Sequence, residues 1–291
     1  MTLPIYSDAH KRHDFVFLFD VTNGNPNGDP DAGNLPRVDP ETMHGLVTDV
    51  SIKRKIRDWV DLTHGNEERF KIYVQNKGIA LNALHERAYT ALNIKINEGK
   101  QKADEVDQTQ RWMCENFYDI RTFGAVMTTK VNCGQVRGPI QLTFATSVDP
   151  IIPLDLSITR VAITQVGTDK KTEMGRKAIV PYALYIGYGF VVPHFARQTG
   201  FSSDDLGLFW EALRSAWELD RSSSRGLMAL RSLYIFSHEN PLGNAPAHRL
   251  FECIRPGLAD GTTTPRHFND YKVAVNDANM PDGVTLTKLE G

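Results

Sequence analysis

The sequence predicts a mixed α+β fold, and three observations support this expectation. Residues 15–19, Phe-Val-Phe-Leu-Phe, place apolar side chains on both faces of a central strand. Two segments, 52–60 and 206–217, repeat apolar side chains at helical spacing. In chain order the predicted elements are strand, helix, insertion, strand, hairpin, strand, helix and strand. This order is close to the β-α-β-β-α-β plan of a ferredoxin-like, RNA-recognition-type fold.

The central strand is followed by a turn-rich loop and a helix. Residues 23–33 are dense in Gly, Pro, Asn and Asp, which favour a long structured loop. A helix is predicted from about residue 48 to residue 61, with Thr48 or Asp49 as its N-cap. The spacing i, i+4, i+7 and i+8 gives this helix one apolar face, formed by Ile52, Ile56, Trp59 and Val60.

The same helix carries a run of cations that begins after Ser51. At about 100° per residue, Lys53, Arg54 and Arg57 are expected on the side opposite the apolar face. Lys55 is expected at the other edge. A run of cations without an intervening acid can bind the phosphates of a nucleic-acid backbone. The alternative is an ordinary solvated helix face, and the run by itself leaves both readings open.

The middle of the chain predicts an insertion, a half-covered strand and a hairpin. Residues 62–117 are polar and charge-rich, with helices expected near 83–92 and 103–117. The segment 138–146 alternates apolar and polar residues, which predicts a strand with one covered and one open face. Its covered face would comprise Ile140, Leu142 and Phe144. Residues 154–181 predict a projecting β-hairpin with a polar tip.

Two strands and a helix complete the predicted order. The strands are expected over residues 183–192 and 230–237. The helix between them, over 206–217, has Ser203 or Asp204 as its candidate N-cap and packs its apolar face on the sheet.

Composition limits the classes of function. The chain has 33 Lys and Arg against 35 Asp and Glu, for a net charge of −2, so any nucleic-acid binding requires a local basic patch. The three cysteines lie far apart, which argues against a disulfide framework and favours a reducing compartment. No apolar run approaches about 18 residues, so we expect a cytoplasmic protein without membrane contact.

Motif tests predict neither a cofactor nor an enzyme. The loop over 23–33 lacks the Gly-Lys-Ser/Thr of a phosphate-binding loop. Asp29 and Asp31 fail the spacing of a calcium loop, and the histidines are too scattered for zinc. The segment 222–226, Ser-Ser-Ser-Arg-Gly, lacks a nucleophile elbow. A metal ion is therefore not expected.

Two further segments carry candidate RNA contacts. Residues 119–124, Asp-Ile-Arg-Thr-Phe-Gly, and 135–139, Gln-Val-Arg-Gly-Pro, flank a small loop. Arg121 and Arg137 would contact phosphates, and Phe123 would stack on a base. The alternative is that Phe123 belongs to the core and the arginines form surface ion pairs, and both readings remain open.

Five motifs in fixed order resemble those of a known family. They are Asp-Val-Thr-Asn-Gly-Asn-Pro-Asn-Gly-Asp-Pro at 20–30, Val-Ser-Ile-Lys-Arg-Lys-Ile-Arg at 50–57, Asp-Ile-Arg-Thr-Phe-Gly at 119–124, Val-Arg-Gly-Pro-Ile-Gln-Leu-Thr-Phe at 136–144, and His-Glu-Asn-Pro-Leu-Gly-Asn-Ala-Pro at 238–246. Over nearly its whole length the chain resembles the large repeated backbone subunit of type I CRISPR Cascade complexes. Subtype I-C is the best match.

The resemblance implies a modified ferredoxin-like, RNA-recognition-motif palm with a finger insertion and a thumb hairpin. The palm would comprise about 12–61, 118–153 and 182–291, the finger about 62–117, and the thumb about 154–181. Copies are expected to stack head to tail into a helical filament along the guide RNA (crRNA). Each thumb is expected to displace one nucleotide at regular intervals, so that short segments of guide stay exposed.

The resemblance also implies function and partners. The chain is expected to serve CRISPR interference without catalysis, presenting the guide for pairing with target DNA. Its expected partners are crRNA, other copies of itself, a guide-processing or handle-binding subunit, a large subunit and a recruited helicase-nuclease. The implied RNA-binding residues are Asn23, Gly24, Ser51, Lys53, Arg54, Arg57, Arg121, Phe123, Gln135, Arg137, Thr159, Arg160, Met174, Arg176 and Arg225.

Within that set, Asn23 and Gly24 should let the backbone approach RNA closely, and Arg160, Met174 and Arg176 should lie at the displaced nucleotide. Lys55 is the basic helix residue least expected to contact RNA. The alternative function is a metal-dependent ribonuclease that uses one loop aspartate: Asp29, Asp31 or Asp39. Processing of the guide precursor would need a His, Tyr or Lys acid-base group and is expected of a different subunit.

Overall fold

The computed structural model describes residues 4–97, 100–162, 173–278 and 280–291. Its helices are α1 (Asp49–His64), α2 (Leu81–Ala91), α3 (Ala103–Asn116), α4 (Tyr118–Phe123), α5 (Pro193–Thr199), α6 (Ser203–Leu219) and α7 (Ala247–Phe251). Its strands are β1 (His13–Gly24), β2 (Gly28–Asp29), β3 (Leu35–Pro36), β4 (His44–Val47), β5 (Gly124–Thr128), β6 (Asn132–Arg137), β7 (Ile140–Leu142), β8 (Ala145–Pro150), β9 (Leu154–Arg160), β10 (Glu173–Val191), β11 (Leu227–His238), β12 (Ile254–Leu258), β13 (Tyr271–Val275) and β14 (Val284–Glu290).

A large antiparallel sheet forms the centre of the molecule. Its strand order is β14-β11-β1-β10-β8-β4, so β1 lies between β10 and β11. Phe15, Phe17 and Phe19 point to one face and pack with the apolar sides of α1 and α6, while Val16 and Leu18 point to the other. All five are fully buried. The prediction of a central strand covered on both faces is confirmed.

The second face of the sheet is covered by the C-terminal part of the chain. Leu250 of α7, Ile254 of β12 and Tyr271 of β13 are buried against it. The alternation predicted over 138–146 is found in part, because Ile140 and Leu142 are buried and Gln141 between them is half-buried. The segment divides into β7 and β8, and at the break Phe144 is 52% exposed instead of lying in the core.

A second hydrophobic core lies outside the central sheet. The helices predicted near 83–92 and 103–117 are α2 and α3, and they bury residues such as Tyr89 and Met113. The β5–β6 hairpin packs on α3 and contributes Met127 and Cys133 to the same core. By packing, this subdomain extends beyond residue 117 to the end of β6, because Met127 and Cys133 of the hairpin are buried in the same core as Met113.

The predicted hairpin and the strand that follows it are one continuous element. β9 pairs with β10 from Leu154 opposite Ile179 to Arg160 opposite Glu173, and β10 then continues into the central sheet beside β1. The separate strand expected over 183–192 is thus the second half of β10. Every residue of β9 is exposed, so the hairpin projects from the body. The predicted tip, residues 163–172, lies outside the described residues.

Capping side chains define where the helices α1 and α6 begin. Thr48 caps α1 as predicted, because its side chain accepts a hydrogen bond from the Ser51 amide at 3.3 Å. The cap of α6 is Ser202, not Ser203 or Asp204, and it forms a capping box with Asp205.

In the described part of the chain, no helix is both long enough and apolar enough to cross a bilayer.

Candidate nucleic-acid interface

The Asn-Gly loop is held against the segment 222–226. A Cβ atom on Gly24 would lie 1.9 Å from the carbonyl oxygen of Arg225, so only glycine allows the two backbones to pass. The close approach that the sequence predicted for Gly24 is therefore to Arg225, and the expectation that it faces RNA is corrected. Asn23, in contrast, is exposed and adopts a left-handed backbone with φ of 50°.

Side-chain amides tie the loop to α1. The Asn27 side-chain oxygen accepts hydrogen bonds from the Thr48 amide and the Thr48 hydroxyl, both at 2.9 Å. The Asn25 amide donates to the carbonyl of Asn34 at 2.8 Å. The loop and the first turn of α1, with Ser51, therefore form one rigid unit, since each contact fixes backbone as well as side chain.

Arg225 holds this loop through hydrogen bonds to its backbone carbonyls. Its Nη1 donates to the carbonyls of Asn25 at 3.1 Å and Pro26 at 2.9 Å. Its Nε lies 3.3 Å from the Asp220 carboxylate. Burial lowers the pKa of Arg225. Arg225 therefore positions the loop through Nη1 and Nε, and its side chain keeps 30% exposure, so its RNA contact stays a prediction.

The cations of α1 do not share one solvated side. Arg57 is buried and pairs with Asp119 at 2.8 Å, which corrects its placement opposite the apolar face. Lys55 is buried as well and pairs with Asp220. Lys53 pairs with Asp49 and retains 14% side-chain exposure.

Arg54 is the most exposed cation of this helix. Its side chain is 36% exposed, with Nη1 donating to the carbonyl of Val74 at 3.1 Å and lying 3.5 Å from Asp58. Of the three helix cations predicted to bind phosphate, Arg54 is the one with the access to do so.

Arg121 lies in the core, and its prediction as an RNA contact is wrong. Its side chain is fully buried, with Nη2 2.7 Å from Asp205 and Nη1 donating to the carbonyl of Arg69 at 2.6 Å. Burial raises the pKa of the Asp205 carboxyl, but the Arg121 hydrogen bond and charge outweigh it and hold that pKa below its usual value. The pair joins α4 to the first turn of α6.

Phe123 belongs to the hydrophobic core, which was one of the two alternatives that the sequence left open. It is 6% exposed, and the charged groups of Lys53 and Arg57 lie 5.6 and 5.3 Å from its ring centre. Its side chain is therefore not available to stack on a base. The adjoining strand β6 is different, because Gln135 and Arg137 are exposed there. Arg137 lies with its guanidinium carbon 4.4 Å from the centre of the Phe195 ring, and this contact orients the side chain.

A basic cavity separates the loop from the base of the β9–β10 hairpin. It encloses about 190 Å³ and is lined by residues of the loop, the hairpin and the segment 222–226: Asn25, Gly33, Asn34, Arg176, Lys177 and Ser224. The Arg176 side chain is 81% exposed and lies 3.6 Å from Asp155. Both cations therefore face the same solvent-filled groove as the Asn-Gly loop.

The far part of the hairpin holds the other thumb candidates. Thr159 is paired with Met174 across the two strands, and Met174 is 76% exposed. Arg160 donates through Nε to the carbonyl of Ala162 at 3.1 Å. These residues line a separate cavity of about 460 Å³, away from the Asn-Gly loop.

The loop aspartates are engaged in local structure. Asp29 lies 3.2 Å from Arg37 and accepts a hydrogen bond from the Asp31 amide. Asp39 accepts from the Glu41 amide at 2.9 Å, which lowers the pKa of its carboxyl. Across residues 4–97, 100–162, 173–278 and 280–291, no three His, Cys, Asp or Glu side chains gather in a way that would hold a metal ion.

Comparison with known proteins places the chain in a family. A family model described as CRISPR-associated protein Cas7 matches residues 11–276. The chain belongs to this family. This Cas7-family chain is 26% identical over 230 residues to a CRISPR-associated protein Cas7 of Haloferax volcanii. The match covers 70% of this chain and 64% of the relative, so the chain spans just under two thirds of that protein's length.

A solved structure gives the same fold. A chain of a CRISPR RNA-guided surveillance complex, pre-nicking, is similar to this Cas7-family chain with a TM-score of 0.51. The match covers 77% of this chain and 78% of that chain at 15% sequence identity. The mixed α+β architecture with its large antiparallel sheet is therefore shared with that structure.

Part of the predicted set stays accessible to solvent. We call these residues, with Lys177 added because it lines the same cavity as Arg176, the basic interface: Asn23, Ser51, Arg54, Gln135, Arg137, Arg176 and Lys177. The interface excludes Gly24, Arg57, Arg121, Phe123 and Arg225, whose groups are buried or used in positioning. Sequence reasoning missed Lys177, although its place beside Arg176 signalled it, and it missed Asn25 and Asn27 as the residues that fix the loop.

Proposed function

We propose that this Cas7-family chain is a non-catalytic guide-RNA-binding subunit of a type I-C CRISPR surveillance complex. Copies would bind head to tail along the crRNA and present it for pairing with target DNA. The observation that carries this proposal is the basic interface, in which Arg54, Arg137 and Arg176 have exposed guanidinium groups and Arg176 lines one cavity with the Asn-Gly loop. The family match supports it.

The chemistry of the basic interface suits a nucleic-acid backbone more than a base. Three of its four cations are planar guanidiniums that pair with phosphate oxygens, and its amides, Asn23 and Gln135, can bond sugar hydroxyls. The Phe195 ring that adjoins them lies against the Arg137 guanidinium. Backbone binding without sequence reading suits a subunit that holds many different guides, since base pairing then selects the target.

Near-neutral net charge fits a repeated subunit. The chain carries −2 overall, so copies placed side by side do not repel strongly, while the local cations still attract RNA. A heterologous contact whose rotation does not close generates an open helix, which matches a linear guide.

The proposal assigns parts of the fold to a hand-like plan. The central sheet with α1 and α6 would be a ferredoxin-like palm, the subdomain of α2, α3 and β5–β6 the finger, and the β9–β10 hairpin the thumb. The order β11-β1-β10-β8 supports the palm, because its strands are the fourth, first, third and second of a β-α-β-β-α-β unit. Thr159, Arg160 and Met174 would meet the displaced nucleotide.

The proposal also includes the molecules that the chain would bind. Besides crRNA and target DNA reached through the guide, they are other copies of the chain, a guide-processing or handle-binding subunit, a large subunit and a recruited helicase-nuclease. The test is to produce the chain together with its neighbouring gene products and to size the RNA that co-purifies. RNA of one defined length is expected, and an assembly that purifies without RNA would contradict the proposal.

The absence of catalysis needs its own test, because a metal-dependent ribonuclease would use the same RNA-binding surface. Asp31 is the exposed loop aspartate, so it is the residue best placed to meet a metal-bound target. The guide-loaded assembly is incubated with complementary RNA and Mg²⁺, with Asp31→Asn as the matched variant. We expect intact target RNA from both. Cleavage at regular spacing that disappears in the variant would establish the ribonuclease instead.

A further inference from the structure

Leu242 stands out among the exposed apolar residues because its backbone is fixed. It is 84% exposed at the tip of the segment 239–246, which joins β11 to α7. Arg12 donates to its carbonyl at 2.8 Å, and the Asn240 side chain accepts from its amide at 2.9 Å. A single exposed leucine is ordinary on a protein surface. A leucine whose backbone amide and carbonyl are both hydrogen-bonded is preorganised for contact with a partner.

The support beneath Leu242 is a buried polar chain. Asp14 receives Nε and Nη2 of Arg12 at 3.2 and 3.0 Å and Nε2 of His238 at 3.0 Å. The other ring nitrogen of His238 accepts from the Asn244 amide at 2.9 Å. The side chains of Asp14 and His238 are fully buried. Burying such groups is costly, and here the contacts order an exposed segment.

An apolar cavity of about 590 Å³ opens on the other half of the sheet. It is lined largely by residues of β4, β8, β10 and β12, among them His44, Val148, Ile186, Tyr188, Ile254 and Pro256. Arg255 also lines it and is exposed. The cavity is open to solvent and broad enough to admit an aliphatic side chain.

The protruding leucine and the cavity lie towards opposite ends of the strand order. The segment 239–246 is anchored on β1, β11 and the start of β14, through Arg12, His238 and the Glu239 amide bound to Gly283. The cavity is lined by β4, β8 and β10, on the side of β1 away from β11, and by β12. A protrusion and a recess so separated cannot meet within one chain, but they can meet between copies.

The charged residues beside the leucine and beside the cavity have opposite signs. Glu239 is exposed three residues before Leu242, and Arg255 is exposed at the cavity. If Leu242 enters the cavity of a neighbour, the two opposite charges are brought towards each other at the edge of the contact. Complementary charges at an interface favour the correct partner and register. The occupant that these features fit is therefore a second copy of this chain.

We propose that Leu242 of one copy inserts into the cavity around Val148 and Tyr188 of the next, with Glu239 facing Arg255. The contact is heterologous, so its repetition yields an open array. This inference rests on the proposed function, because it names the surfaces by which the RNA-bound copies adjoin.

Cysteine cross-linking tests the contact directly. Leu242→Cys and Val148→Cys are combined with Cys253→Ser, assembled on single-stranded RNA of mixed sequence and treated with a short bismaleimide. A ladder of covalent dimers, trimers and larger species is expected. The matched control pairs Val148→Cys with Leu62→Cys, since Leu62 is 70% exposed on α1 and outside the proposed contact; no ladder is expected from it.

A charge exchange provides the second arm. Glu239→Arg alone and Arg255→Glu alone should each weaken assembly about tenfold, because like charges then face each other. The double variant should recover it. Sedimentation of the same samples separates the outcomes. Assembly on RNA without the specific ladder, and without recovery in the double variant, overturns only this contact. A wild-type chain that stays monomeric on RNA contradicts the proposed function as well.

Discussion

Arg57 and Asp119 form a buried ion pair that joins the basic helix to the second hydrophobic core, with 2.8 Å between Nε and Oδ2. The same carboxylate accepts hydrogen bonds from the amides of Tyr73 and Val74 at 2.8 and 3.0 Å. Arg57 also lies over the Phe123 ring. A residue that sequence suggested as a phosphate ligand therefore organises the junction on which the basic interface is built.

Arg57→Ala should be strongly destabilising. Removing it leaves the Asp119 charge buried without its partner, for which a loss of about 3–5 kcal/mol in unfolding free energy is expected. Urea denaturation measures the change. The matched control is Arg54→Ala, one turn earlier and more exposed, which should cost about 0.5 kcal/mol or less. Equal losses for the two variants would contradict the distinction between a structural and a surface cation.

Gly24→Ala should destabilise the loop, whereas Gly207→Ala should stabilise the protein. The new methyl at position 24 would meet the Arg225 carbonyl at 1.9 Å, and relieving such overlap usually costs about 1–3 kcal/mol. At position 207, within α6, a Cβ meets nothing within 4 Å, so alanine should add about 0.5–1 kcal/mol of stability. Thermal unfolding of both variants tests the pair. A neutral Gly24→Ala would contradict the close backbone crossing.

His13 should make stability depend on pH in the mildly acidic range. Burial lowers the pKa of His13 to about 4, and its ring lies 2.9 Å from both Ser237 Oγ and the Asp8 carbonyl. The unfolded chain, with an ordinary pKa of about 6.5, takes up the proton first. The contribution is complete above pH 6.5 and is lost as pH falls towards 4, by about 3 kcal/mol.

Denaturation from pH 7 to pH 4 in wild type and His13→Gln tests this expectation. The variant should lose less stability over that interval, whatever its stability at pH 7. His85, whose pKa burial also lowers, is present in both proteins and does not affect the comparison. Parallel pH profiles would show that His13 is not responsible.

Local pattern was enough to predict the elements but not their ionic partners. Helical spacing predicted the buried faces of α1 and α6, and the apolar run at 15–19 predicted a strand covered on both sides. Arg57 and Arg121 looked like surface cations because their acids, Asp119 and Asp205, lie 62 and 84 residues away in the chain. Contacts of that range have no periodic signature in a single sequence.

The continuity of β10 was also hidden in the sequence. The hairpin predicted over 154–181 ends at Pro181, and proline lacks the amide that a strand interior uses. In the structure the pairing of β1 with β10 includes Thr22 opposite Tyr182 and Gly24 opposite Val180, and omits Asn23 and Pro181. Asn23, with its left-handed backbone, takes up the irregularity. The proline thus lies where the central sheet gives way to the projecting hairpin.

Salt dependence of RNA binding tests the central claim most directly. Binding of a mixed-sequence single-stranded RNA is measured from low to moderate salt for wild type and for Arg54→Ala/Arg137→Ala/Arg176→Ala. Each lost phosphate contact on a single strand reduces the slope of log K against log salt by about 0.7, so a reduction of about two is expected. The unfolding curve should stay close to wild type, since these side chains are exposed. Equal slopes for the two proteins would contradict RNA binding at the basic interface.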